Sequence, residues 1–335
     1  MTKPNEQNNM PIIHPNAAGI DIGSKFHVVA VRSDKAMEPV RTFQSFTGDL
    51  HDMAKWLKSC EVTSIAMEST GIYWIPAFEI LESYGFEVFL VNAREAKNVP
   101  GRKTDVNDAQ WIQRLHQFGL LRASFRPDKQ IAVLRAYIRQ REGLIELRAS
   151  HIQHMQKALM QMNLQLHHVV SDITGATGIK IIRAIIDGEH KPTLLAQYRD
   201  IRCKESIQTI EKALSGNYQE EHLFSFKQAV ELFDYYTQKI HECDHRIEAT
   251  LNLFGEDRQP PEKPLPEARH RTKQPNAPSF DVRSSLYQVL GLDLTQIHGV
   301  GPSLALKLLS ECGTDILPKK LVDSARFVSS TAKKR

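Results

Sequence analysis

The chain has 335 residues, 41% hydrophobic and 24% charged, which excludes a disordered or fibrous protein and leaves room for two domains with separate cores. Its formal net charge is only +4, but Arg94 to Lys157 carries 13 Lys/Arg against 6 Asp/Glu, so the remainder sums to −3. A local basic excess of this kind reads either as a nucleic-acid face or as a solvated helix surface.

The polar start, residues 1–16, reads as a disordered tail with no secretory signal. No later apolar run is long enough to cross a bilayer, so a cytoplasmic protein without a membrane partner is expected. The scattered Cys60, Cys203, Cys243 and Cys312 suit free thiols. Ala17 to Arg32 predicts two strands around a turn at Gly23-Ser24, with a third strand at Pro39 to Phe46. A helix over Gly48–Lys58, a strand at Ser64–Met67, a helix near Trp74–Tyr84 and a strand at Phe86–Val91 follow. Strands first, then alternation, imply an α/β domain over 17–126, a mixed sheet with flanking helices. Thr104 is placed to cap a helix from Asp105 to Phe118 that Gly119 ends.

Beyond Pro127 the period changes. Ile131, Ile138, Ile145, Ile152, Leu159 and Leu166 recur every seven residues, joined by Met155, Met162 and Val169, which predicts a long helix in a helical segment over 127–254. That helix fits a coiled-coil hairpin, a homo-oligomer seam, or one member of a bundle within the chain. Residues 255–283 hold six prolines and read as a charged linker. A small helical module over 284–335 ends in Ala332-Lys-Lys-Arg335.

Chemistry concentrates in four acids. Asp21 lies within the first strand between Ile20 and Ile22, and Glu68 ends the next apolar strand. Asp105 and Asp108 share one face of a helix start. Four carboxylates from two strand ends and one helix turn suit two hard divalent cations, Mg²⁺ or Mn²⁺, for phosphodiester chemistry. Asp105 and Asp108 alone would equally serve to stabilise a helix N-terminus. The runs Gly19-Ile-Asp-Ile-Gly-Ser-Lys25, Met67-Glu-Ser-Thr-Gly71 and Lys103-Thr-Asp-Val-Asn-Asp-Ala109 resemble insertion-sequence transposases of the IS110 group (IS1111-like subgroup). The resemblance implies an RNase H-like (RuvC-like) domain with a DEDD tetrad at Asp21, Glu68, Asp105 and Asp108. It further implies DNA as substrate, a structured guide RNA as partner, and excision and insertion of a mobile element. Lys25, Arg102 and Lys103 beside the acids suit phosphate contacts.

Leu294 to Leu309 resembles a helix-hairpin-helix: Gly299 and Gly301 permit a tight turn, Pro302 suits a helix start, and the following helix with Lys307 offers a phosphate contact. The chain ends before the Gly-rich Ser-Gly-Gly-Lys-like segment of the resembled family, so the expectation is a truncated frame whose nucleophilic serine is unknown. Neither Ser329 nor Ser330 is assigned. His151-Ile-Gln-His154 and Cys243-Asp-His245 lack a second pair for zinc. Tyr73-Trp74 reads as the start of a core helix, with base stacking as the alternative. Two other classes fit parts of the pattern: a non-catalytic nucleic-acid-binding regulator, and an actin-like phosphotransferase, which lacks its later glycine-rich turns here.

Overall fold

The computed structural model describes residues 10–92, 107–256, 264–268 and 276–314. The chain divides into two compact units, Met1–Arg126 and Pro127–Arg335.

The first unit runs β1 (Ala17–Ile22), β2 (Phe26–Val31), β3 (Val40–Gln44), α1 (Thr47–Ser59), β4 (Ser64–Glu68), α2 (Trp74–Ser83), β5 (Glu87–Val91) and α3 (Asp108–Gln117). The sheet order is β3-β2-β1-β4-β5. β1, β2 and β3 pair antiparallel, while β1, β4 and β5 pair parallel. The tight turn after Ile22 closes with the Gly23 N–H donating to the Phe26 carbonyl at 3.1 Å, whereas the parallel pairs need the crossovers that contain α1 and α2. This mixed five-stranded sheet with flanking helices is the expected α/β architecture, consistent with an RNase H-like fold.

Strand alternation divides the sheet into two faces. Ile20, Ile22, Val29, Val31, Ile65, Met67 and Leu90 pack with Leu50, Met53, Leu57, Phe78 and Leu81 of α1 and α2. On the other face Ala66 and Val91 pack with Trp111, Ile112 and Leu115 of α3. Residues 13–16, assigned to the tail from sequence, are tied to this unit. The Ile13 and His14 N–H groups donate to the Gln117 carbonyl, and the Asn16 carbonyl accepts from Thr63 and Ser64.

The second unit consists of α4 (Lys129–Gln161), α5 (Leu166–Val169), α6 (Ala176–Ile186), α7 (Pro192–Leu195), α8 (Ile207–Ala213), α9 (Glu220–Glu256), α10 (Val282–Leu290) and α11 (Pro302–Cys312). The 33-residue α4 packs along the 37-residue α9. One core gathers Met155, Leu159, Met162, Ile181, Ile182 and Phe226. A second gathers Ile131, Leu134 and Ile138 with Ile247, Leu251 and Phe254, capped by Leu286, Val289, Leu306 and Leu309. The start of α4 thus meets the end of α9, so the two run antiparallel within one chain.

Two sequence expectations change here, the end of the long helix and the start of α3. The heptad helix stops at Gln161, so Leu166 belongs to the separate α5. The seam three residues after the isoleucines is broken by charge: the buried Arg141 pairs with Asp244 of α9, and Arg148 donates to the Asn276 Oδ1 at 2.7 Å. Finally, α3 starts later than expected, at Asp108 with Asn107 as its N-cap, and Thr104 lies outside the described residues. The Asn107 side chain accepts from the Gln110 N–H at 2.8 Å and Gln110 reaches back to the Asn107 N–H, a reciprocal cap.

Described residues of the proline-rich stretch hydrogen-bond within the second unit. The Pro264, Pro266 and Glu267 carbonyls accept from Tyr287, Arg283 and Gln296 respectively. The Asn276 carbonyl accepts from Arg141, the Ser279 N–H donates to Asp244, and α10 has begun by Val282.

Candidate functional site

β1 carries two kinds of side chain in strict alternation, and its odd positions, Gly19 and Asp21, face α3. At Gly19 the reason is steric: a Cβ there would lie 2.3 Å from both the Ala109 carbonyl oxygen and the Gln113 nitrogen. A glycine inside a strand often marks such a close backbone approach.

The direction of α3 follows from its other end. Gln117 accepts from residues 13 and 14, just before β1, and His116 Nε2 lies 2.5 Å from the hydroxyl of Ser64, the first residue of β4. The C-terminus of α3 therefore sits where β1 and β4 begin, and its first residue, Asp108, sits toward the end where they finish. There its carboxylate is favoured by the helix dipole.

Asp21 and Glu68 occupy that same end. The β1–β4 register pairs Gly19 with Ala66 and Ile20 with Met67, so Asp21 and Glu68 take the next rung, on adjacent parallel strands about 4.8 Å apart. Ala66, two residues before Glu68, packs on α3, which puts Glu68 on the α3 face as well. Asp21 is half-buried and opposes Val28 of β2. Glu68 is buried, with Thr70 Oγ1 donating to its Oε1 at 3.0 Å. A buried carboxylate needs such a partner, or a cation.

Three expected acids thus share one face and one end of the sheet. Their oxygen chemistry fits a hard divalent cation. Among the described residues, however, no three His, Cys, Asp or Glu side chains form a group that would hold a metal. Asp105, Arg102 and Lys103 lie outside the described residues. Lys25 is exposed in the turn between β1 and β2.

Gly299, Gly301 and Lys307 belong to the second unit. Gly299 has φ +82°, the left-handed geometry its turn requires, and Gly301 is the N-cap of α11, with Pro302 following. Lys307 pairs with Glu142 of α4 at 2.8 Å. The basic run is also engaged internally: Arg126 stacks over Phe78 at 3.8 Å, Arg135 donates to the Ser310 and Glu311 carbonyls, and Arg139 pairs with Glu311.

The sequence reading did not single out Gly19, Thr70 or Asp244. Gly19 was visible as a lone glycine in a strand. Asp244 gave no signal, because a single acid in a helix looks solvated until its partner is known.

The family model for DEDD transposases of the IS110 type, described as a transposase, matches residues 18–164. Residues 18–164 are a DEDD transposase domain of the IS110 family. The match covers the sheet from Ala18 onward, α3 and all of α4, so it reaches beyond the first compact unit into the second. No curated protein matches the chain. Among the described residues no helix is long and apolar enough to cross a membrane.

Proposed function

We propose that this chain is a DNA transposase or recombinase of a mobile insertion element, which cleaves and rejoins phosphodiesters with Mg²⁺ or Mn²⁺ held by Asp21, Glu68, Asp105 and Asp108. What supports the reading is the register that sets Asp21 and Glu68 on neighbouring strands, at the end of the sheet toward which α3 starts, within a segment matched to a transposase family. Bound there, a divalent cation would activate an attacking hydroxyl and neutralise charge on the phosphate. The chain's own part is positional. Gly19 lets α3 approach, the Asn107–Gln110 cap fixes where α3 starts, and Thr70 orients Glu68.

Resemblance to the IS110 group, and to its IS1111-like members, adds a structured guide RNA as partner, and the long α4 adds assembly into a homo-oligomer. Lys25, Arg102, Lys103 and the Gly299–Gly301 turn are proposed as phosphate contacts. In Lys307 the ammonium would have to leave Glu142 to take part.

The test is Asp21→Asn in the purified full chain, with labelled element-end DNA and with or without the element's RNA. Divalent-dependent strand cleavage should disappear while DNA affinity in Ca²⁺ persists. Cleavage that survives the substitution, or a parent chain that binds nucleic acid but never cuts it, would favour a non-catalytic regulator instead.

A further inference from the structure

Glu68 is buried at the end of β4, yet its two carboxylate oxygens are not treated alike. Thr70 Oγ1 donates to Oε1 at 3.0 Å, while among the described residues Oε2 has no hydrogen-bond partner. An ionised carboxylate taken out of water needs both oxygens satisfied, by donors or by a cation.

The hydroxyl on Oε1 is held in place by its own backbone. Beyond the last residue of β4 the Ser69 N–H still donates to the Val91 carbonyl of β5, at 3.0 Å. The Thr70 carbonyl then accepts from the Tyr73 N–H at 3.3 Å, closing a turn in which Gly71 takes φ +54°. Trp74 pins that turn: its indole N–H donates to the Gly71 carbonyl at 3.1 Å, and its ring meets Phe78 edge-on at 5.9 Å against the core of α1 and α2. Thr70 therefore sits in a short loop fixed at both ends, and the position of its hydroxyl does not depend on what Oε2 binds.

We propose that Thr70 is a metal-selectivity residue: by holding Oε1 it leaves Glu68 one free oxygen, and so favours Mg²⁺ or Mn²⁺ over Ca²⁺ at the carboxylate end of the sheet. This rests on the transposase reading and adds how that site discriminates among divalent cations. The two classes of cation ask different things of a carboxylate. Mg²⁺ is small, demands an octahedron, keeps several waters and is bound through one or two carboxylates. Ca²⁺ is larger, gathers about six to eight oxygens and readily takes both oxygens of one carboxylate. A hydrogen bond to an ionised oxygen is roughly twice as strong as a neutral one. Ca²⁺ can reach Oε1 only by sharing it with the Thr70 proton or displacing that proton, whereas a cation content with Oε2 does neither. Thr70 acts through Glu68 and is thus a positioning residue.

The experiment uses the full chain with Mn²⁺ as the probe, its free concentration followed by electron paramagnetic resonance while Mg²⁺ or Ca²⁺ competes. Thr70→Val keeps the shape of the side chain and removes the donor, so the ratio of Ca²⁺ to Mg²⁺ affinity should rise roughly 10-fold, the weight of one hydrogen bond to a charged group. Thr70→Ala should move the ratio the same way, and Thr70→Ser, which keeps the hydroxyl, should retain the parent ratio. In Mg²⁺-supported cleavage, Ca²⁺ should inhibit Thr70→Val at correspondingly lower concentration. A purely structural Thr70 would weaken both cations by the same factor, so an unchanged ratio in Thr70→Val overturns the proposal, as does a Thr70→Ser chain that behaves like Thr70→Val. Failure of the transposase reading looks different: Mn²⁺ binding that Asp21→Asn leaves intact would put the cation away from these carboxylates, whatever stands at position 70.

Discussion

His116 shows how one buried side chain couples fold to pH. Its ring lies between His14, stacked at 4.3 Å, and the Ser64 hydroxyl, and is 1% exposed. Burial, with a smaller contribution from the neighbouring His14, lowers its pKa from 6.5 to about 4. The unfolded chain therefore binds more protons between pH 6.5 and 4. The neutral ring's contribution is fully present above pH 6.5, is lost progressively as the pH falls toward 4, and amounts to about 3 kcal/mol. Denaturant melts of the parent should show first-unit stability falling across that window, and His116→Leu should flatten the slope. A parent slope that His116→Leu leaves untouched would assign the proton uptake elsewhere. Asp21, Glu68 and Asp108 could be named from sequence because each lies at or next to a strand or helix end that local pattern defines. Neither His116 nor Gly19 was readable in the same way, since their roles depend on α3 folding back over strands distant in sequence, β1 for Gly19 and, 52 residues away, Ser64 of β4 for His116.

At the scale of elements, α4 and α9 are held in register by a polar knot between two apolar cores. Arg141 and Asp244 have side chains only 9% and 2% exposed. Around them Arg141 donates to the Asn276 carbonyl at 2.9 Å and the Ser279 N–H donates to the second Asp244 oxygen at 3.0 Å. Asp244→Ala leaves a buried guanidinium and a backbone N–H without their carboxylate, and should cost about 3–5 kcal/mol. Replacing both charges, Arg141→Met with Asp244→Leu, should recover much of that loss in chemical denaturation, because well-packed apolar groups often substitute for a buried ion pair. A double variant as unstable as the single one would mean that the contacts to Asn276 and Ser279, rather than the charge pairing, hold the helices. The heptad isoleucines made α4 legible as a long helix, yet they could not say where it ends or that its partner lies in the same chain. The interruption at Arg141 and Arg148 carries that information, and it becomes readable only with Asp244 and Asn276 beside it.

For the whole molecule, the division into Met1–Arg126 and Pro127–Arg335 makes a prediction that neither unit makes alone. The first unit's cores enclose the two faces of one sheet, and those of the second lie along α4 and α9. Each buries its own apolar surface, so each is expected to unfold as its own cooperative step. Gly19→Ala forces a methyl against the backbone of α3, 2.3 Å from two of its atoms. Backbone yields less than a side-chain tip, so the cost should reach the upper part of the overpacking range, about 3 kcal/mol. Calorimetry of the full chain should resolve two transitions. Gly19→Ala should lower one and Asp244→Ala the other, each leaving its counterpart within about 0.5 kcal/mol of the parent, as expected for substitutions without shared partners. Gly19→Ala should also depress cleavage, because moving α3 displaces Asp108 from the end of the sheet that holds Asp21 and Glu68. If both substitutions instead lower a single shared transition, the two units fold as one body, and the match spanning residues 18–164 would reflect a cooperative unit that crosses Arg126.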